Sequence, residues 1–143
     1  MDIAFLISTS NSLQDVKSIL NAMILVLNIQ RYDGTHVGVM TCERQGNILL
    51  KLNEKYLRND ILDTIQSLQP RNSRATLDKC LSEASRSMFD VKGGVRNAVD
   101  KYLIVFDDGN SLFKQTAVND AISTLKNQGK YLNEYLMYET FAI

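Results

Sequence analysis

Short, continuously apolar segments alternate with amphipathic helical segments along this chain of 143 residues. Residues 3–7 and 102–106 are apolar throughout, and a polar cluster follows each, which is typical of strands buried on both faces of a sheet. Between them, apolar residues recur at helical spacing from Ser12 to Leu27. This order favours a mostly parallel sheet with helices on both faces.

The rest of the chain follows the same pattern and adds one reversal of direction. Gln45-Gly46-Asn47 turns the chain between two short strands, which predicts an antiparallel hairpin at one edge of the sheet. The remaining predicted elements are strands at 37–42 and 48–52, a helix capped by Asn59 and stopped by Pro70, a helix over 76–88, a helix carrying Val118 to Leu125 with Gly129 as its C-cap, and a last strand or strand pair in 131–143.

Charge and hydropathy narrow the classes of partner. Sixteen basic residues balance sixteen acidic ones at a sequence pI of about 6.6, so there is no electrostatic footprint for nucleic acid or anionic lipid. The longest apolar runs, such as residues 22–27, fall far short of the roughly 20 residues of a membrane span. Asp2 leads at once into a strand pattern, which does not resemble a signal peptide.

Two cysteines, Cys42 and Cys80, leave two alternatives open. They could form one disulfide in an oxidising compartment, or they could be small buried apolar residues in a reducing one. Free thiols would favour an intracellular protein, whereas a disulfide would favour an extracellular one.

Polar clusters follow the two most apolar strands: Ser8-Thr9-Ser10-Asn11-Ser12 and Asp107-Asp108-Gly109. In an open α/β sheet, ligands bind in the crevice beyond the carboxyl ends of the strands, so both clusters are predicted to line a binding site. Each also has a purely structural interpretation. Ser12 is a good N-cap with Asp15 in the first turn, and Asp-Asp-Gly is a common polar turn.

The segments "DIAFLISTSNS", "VGVMTC", "ILLKLNEKYLRNDILDTI" and "KYLIVFDDG", in this order, resemble von Willebrand factor A domains. The resemblance covers nearly the whole chain. It implies an α/β fold, doubly wound, with a mostly parallel central sheet, one antiparallel edge strand and helices on both faces. Family members usually continue through another strand and a closing helix. Residues 1–143 are therefore expected to be a single domain that either lacks these elements or closes its sheet differently, and exposed apolar sheet surface would invite oligomerisation.

The resemblance also implies a metal-ion-dependent adhesion site, which departs here from the family pattern. Ser10 and Ser12 match the two serines of Asp-x-Ser-x-Ser, and Asp108 matches the last aspartate, whereas Ser8 stands in place of the leading aspartate. The family threonine falls at Ala75, although Ser73 or Thr76 could serve if the loop shifts. The ions implied are Mg²⁺ or Mn²⁺, which require carboxylates that Ser8 does not supply.

The function implied is a non-enzymatic, protein-binding module for cell adhesion or extracellular matrix, with collagen or another matrix protein as the partner. The alternative is an intracellular scaffold within a multiprotein complex. An enzyme or phospho-acceptor using Asp107 or Asp108 lacks a paired lysine, a nucleotide loop and a base. His36 has no catalytic partner by spacing and is expected at the surface. Tyr131, Tyr135 and Tyr138 could form an aromatic binding strip.

Overall fold

The computed structural model describes residues 1–8, 12–128 and 132–139, the last segment by its backbone alone. Five strands form one sheet in the order β3-β2-β1-β4-β5. All neighbouring pairs are parallel except β2 and β3, which form the antiparallel hairpin at one edge. The elements are β1 (Asp2–Ile7), α1 (Leu13–Val26), β2 (His36–Cys42), β3 (Gly46–Leu50), α2 (Arg58–Gln66), α3 (Leu77–Glu83) continued by a π-helical turn (Ala84–Met88), a 3₁₀ turn (Val91–Gly93), β4 (Lys101–Asp107), α4 (Gln115–Gln128) and β5 (Leu132–Glu139).

The two faces of the sheet are covered by different helices, because side chains along a strand alternate between its faces. From β1, Phe5 packs into a core with α1 and α2, whereas Leu6 packs into a second core with α3 and α4. Both side chains are fully buried. The predicted doubly wound architecture, with β1 at its centre, is confirmed.

Some predicted helix ends are wrong. The second helix begins at Arg58, so Asn59 lies inside it and Leu57 is the N-cap residue. Ser12 is the N-cap residue of α1, as predicted, but its side chain makes no capping hydrogen bond. Gly129, predicted to cap α4, lies outside the described residues. Local propensity alone does not fix a helix boundary, because tertiary contacts decide where the first turn is stable.

The amino-terminal edge of the sheet contains a partly buried ion pair between Arg96 and Asp2. Arg96 Nε donates to Asp2 Oδ1 at 2.8 Å, and its Nη2 donates to the carbonyl oxygen of Gly34 at 2.9 Å. The surface position predicted for His36 is wrong, since this residue is only 4% exposed. Its Nε2 lies 2.9 Å from the carbonyl oxygen of Arg31. The imidazole is therefore packed at the amino-terminal edge of the sheet, at the opposite edge from the polar clusters.

Among the described residues, no helix is long and apolar enough to cross a membrane.

Candidate binding site at the carboxyl ends of the strands

The carboxyl ends of β1 and β4 meet through buried polar side chains. Ser8, fully buried, directly follows β1, and its hydroxyl lies 2.6 Å from Oδ1 of Asp107 and 3.0 Å from the carbonyl oxygen of Phe106. The hydroxyl of Ser111 donates to the same Asp107 oxygen. Two neutral hydroxyl groups thus hold one buried carboxylate in place.

The second carboxylate of this cluster has an ionic partner within the chain. Nη2 of Arg71 lies 3.1 Å from Oδ1 and 3.2 Å from Oδ2 of Asp108. The two side chains are 9% and 4% exposed, respectively. Nη1 of Arg71 donates to the carbonyl oxygen of Ser73, whereas its buried Nε has no hydrogen-bond partner among the described residues. A desolvated ion pair therefore occupies the crevice at Asp108.

The loop that contains Arg71 is joined to the loop after β4 by several more hydrogen bonds. Arg74 Nε donates to the carbonyl oxygen of Asn110 at 2.6 Å. The backbone of Leu112 pairs with the segment before α3, donating to the carbonyl of Ala75 and accepting from the amide of Leu77. These bonds hold the Arg71–Asp108 pair between two fixed loops.

A disulfide links Cys42, the last residue of β2, to Cys80 in α3. Both cysteines are buried. The amide of Thr76 donates to the carbonyl of Glu43, beside the disulfide, at 2.7 Å. Of the two alternatives that the sequence left open, the structure therefore contains the disulfide, and it fixes the end of β2 against the loop before α3.

The residues predicted to bind a metal are only partly brought together. Asp108 lies in the crevice, Ser73 contacts Arg71 through its carbonyl oxygen, and Thr76 serves as the N-cap residue of α3 without a side-chain capping bond. Ser12 precedes α1 at the same end of the sheet. Ser10 lies outside the described residues, as do the side chains of the proposed tyrosine strip. Whether Ser10, Ser12 and Asp108 bind a metal together stays a prediction.

The chemistry of the described donors does not fit a divalent cation. Such a cation requires carboxylate oxygens to offset its charge, but both oxygens of Asp108 lie beside the Arg71 guanidinium. Ser8 is neutral, and its hydroxyl is used by Asp107. Within the described part of the chain, no three His, Cys, Asp or Glu side chains form a group that could hold a metal ion.

Two concave surfaces open at this edge, and both are lined by Thr41, Glu43 and Asn72. The smaller is a cavity of about 250 Å³ beside Arg71, and the larger is a polar groove of about 740 Å³. The loop after β4, whose Leu112 pairs with the backbone of Ala75 and Leu77, exposes Leu112 and Phe113, at 48% and 54%. Adjacent exposed apolar side chains beside a polar groove are typical of protein-binding surfaces.

Sequence reasoning missed the two residues that most change this site. Arg71 sits in a loop after Pro70, and its pairing with Asp108 spans 37 positions, which no local pattern reveals. Phe113 was also missed, because one exposed aromatic residue in a polar loop has no periodicity.

A doubly wound sheet with a polar crevice at the carboxyl ends of its strands defines a class of α/β domains that bind ligands at that edge. The sequence model of the von Willebrand factor type A domain matches residues 2–132. This chain belongs to that family. Cochlin from Homo sapiens is 29% identical over 113 residues, which are 76% of this chain and 20% of that protein. Cochlin from Mus musculus is 28% identical over the same shares of the two chains. The chain thus spans about a fifth of these relatives.

Solved structures share the fold. Proximal thread matrix protein 1 from the mussel byssus has a TM-score of 0.79 at 20% identity, over 96% of this chain and 36% of that chain. Another structure of that protein, with a zinc-occupied MIDAS motif, has a TM-score of 0.73 at 17% identity, over 96% and 43%. The manganese-loaded TRAP protein of Plasmodium vivax has a TM-score of 0.76 at 14% identity, over 98% and 57%. At these identities the likeness concerns the fold alone.

Proposed function

We propose that this chain is a non-enzymatic protein-binding module of the extracellular matrix or cell surface, and that residues 1–143 act as one domain. The observation that carries the proposal is the exposure of two consecutive apolar side chains, Leu112 and Phe113, in the loop after β4. Through Leu112 this loop pairs with the segment that follows Ser73, a residue that lines the polar groove. Exposed aromatic side chains that become buried on binding supply much of the energy of protein interfaces. Membership of a family of adhesion modules supports the same function.

The partner class that we propose is collagen or another matrix protein. Arg44 lines the groove and Arg74 borders it, and both are exposed. A matrix partner would therefore place an apolar side chain on Phe113 and acidic or carbonyl groups toward the arginines. One structural neighbour is itself a matrix protein of the mussel byssus, which supports this choice.

The Cys42–Cys80 disulfide supports an extracellular location, because structural disulfides persist in oxidising compartments. The same bond argues against the cytoplasmic scaffold considered as the alternative. Catalysis is not part of the proposal: among the described residues, Asp107 accepts hydrogen bonds from two serine hydroxyl groups and Asp108 forms an ion pair with Arg71, so both carboxylates have structural roles.

The test measures binding of the purified chain to immobilised fibrillar collagen by surface plasmon resonance. We expect Phe113→Ser to weaken binding at least about tenfold, the effect of losing an interface anchor worth about 1.4 kcal/mol. Val91→Ser is the matched control, because Val91 is 81% exposed in the 3₁₀ turn, whose Gly93 pairs with Leu52 beyond the opposite end of β3.

Each outcome decides one part of the proposal. No binding by the wild-type chain would reject collagen as the partner. Equal binding by Phe113→Ser and Val91→Ser would reject the crevice rim as the binding surface. Self-association is also a prediction, and sedimentation velocity of the wild-type chain over a range of concentrations measures it directly.

A further inference from the structure

We propose that the guanidinium of Arg71 takes the place of the divalent cation in this crevice, so that the site is closed to Mg²⁺ and Mn²⁺ and its charge is balanced from within the chain. The proposal concerns the metal alone and does not depend on which protein binds at the rim.

Charge is the first reason. A dication binds where carboxylates present an excess of negative charge that hydroxyl groups and water cannot offset. Nη2 of Arg71 lies within 3.2 Å of both oxygens of Asp108, in a pair with little exposure to solvent. A cation bound to Asp108 would have to approach this fixed positive charge where screening by water is weak.

Ser8 changes the site in the same direction. Where the sequence pattern of the family has an aspartate, Ser8 is neutral and donates to Asp107. An aspartate at position 8 would place a second carboxylate against the buried Asp107. Two separate departures, one at the end of β1 and one in the loop before α3, thus lower the negative charge of the same edge.

Anchoring is the third reason. Arg71 is not a surface side chain that could swing aside, because Nη1 donates to the Ser73 carbonyl and its side chain is 9% exposed. The loop around it is tied to the loop after β4 through Arg74 and Leu112. Moving the guanidinium away from Asp108 would break its bond to the Ser73 carbonyl as well as the ion pair, so a metal would have to replace both contacts.

The experiment titrates Mn²⁺ alone into the purified chain by calorimetry, up to about 1 mM, the range of weak extracellular cation sites. We expect no binding heat and no change in melting temperature for the wild-type chain. In a background of Ser8→Asp with Asp107→Asn, the test compares Arg71 with Arg71→Met. Mn²⁺ affinity should rise at least about tenfold when Arg71 is removed.

The matched control is Arg96→Met in the same background, since Arg96 forms a partly buried pair with Asp2 at the opposite edge of the sheet. It should destabilise the fold without raising Mn²⁺ affinity. Equal affinity with and without Arg71, or an equal rise with Arg96→Met, would overturn the proposal. If the background variants do not fold, Mn²⁺ is titrated into the wild-type chain and its single variants instead. Mn²⁺ binding by the wild-type chain that Asp108→Asn abolishes would overturn the proposal. No Mn²⁺ binding by the wild-type chain, together with binding by Arg71→Met, would support the proposal.

Discussion

The hydroxyl of Ser8 lies 2.6 Å from Oδ1 of Asp107 and thereby joins the ends of β1 and β4, two neighbouring parallel strands at the centre of the sheet. The bond lies where solvent does not reach, because Ser8 is fully buried and Asp107 is 5% exposed. A side-chain hydrogen bond at this position continues the pairing of the two strands beyond their last backbone contact.

Ser8→Ala should lower the free energy of unfolding by about 1–2 kcal/mol, because a buried carboxylate loses one of its donors. Ser18→Ala is the matched control, since Ser18 donates to the carbonyl of Gln14 on the exposed side of α1. Its effect should stay within about 0.5 kcal/mol. Urea denaturation of the two variants measures the difference, and equal stabilities would contradict the role assigned to Ser8.

Arg71→Met should lower the free energy of unfolding by about 3 kcal/mol, because it leaves the Asp108 carboxylate buried without its counter-charge. Asp108→Asn should lower the free energy of unfolding by a similar amount, because it leaves the Arg71 guanidinium buried without its counter-charge. The double variant should cost clearly less than the sum of the two, since residues in direct contact couple. Denaturant unfolding of the four proteins gives the coupling energy, and simple additivity would show that the pair does not interact.

Removing the disulfide with Cys42→Ala and Cys80→Ala should lower the free energy of unfolding by about 4 kcal/mol, from the chain entropy released over a sequence separation of 38. Reductant should lower the melting temperature of the wild-type chain to near that of the variant, and should leave the variant unchanged. Titration of thiols in the denatured, unreduced protein checks the premise. Two thiols in chain purified from an oxidising compartment would contradict it.

Two glycines with positive φ allow the cost of backbone strain in an alanine variant to be measured with and without steric overlap of the added Cβ. Gly94 has a φ of 85°, and a Cβ there would overlap the side chain of Asn53. Gly109 has a φ of 74°, and a Cβ there would meet no atom of the described residues within 4 Å. Gly109→Ala should cost about 1–2 kcal/mol from backbone strain alone. Gly94→Ala should cost clearly more, as thermal unfolding would show, and equal costs would contradict the crowding.

The sheet could be predicted from the sequence because two of its strands, β1 and β4, are almost continuously apolar. Strands such as residues 3–7 are buried on both faces and have no polar position to obscure the pattern, so their order and the hairpin were both correct. The burial of His36 could not be predicted, because a histidine before a strand has the same local sequence whether it is exposed or buried. In the structure its ring packs against Tyr56, with ring centroids 5.0 Å apart.

The site was harder to predict than the fold. The family motif predicts Asp108 directly after a buried parallel strand, at the edge where ligands bind, and the structure has it directly after β4; that it binds a metal stays a prediction. The pairing of Asp108 with Arg71 could not be predicted. Nothing in the local sequence around Arg71 distinguishes an arginine in solvent from one paired with a carboxylate 37 residues away. A sequence motif predicts where a residue lies relative to a strand. It does not predict which side chains of two loops will pair, because that depends on how the loops pack.

The Cys42–Cys80 bond encloses β3, α2 and the connection between them, where Asn53 and Glu54 are exposed and Leu57 is 67% exposed. Exposed connections are preferred sites of proteolysis. Proteolytic cleavage in this connection would leave two polypeptides joined by the Cys42–Cys80 disulfide, and every strand would remain in the same sheet. Proteases that nick this connection would therefore produce a two-chain protein, which runs as one band on a gel until it is reduced, and the crevice would survive the loss of a peptide bond.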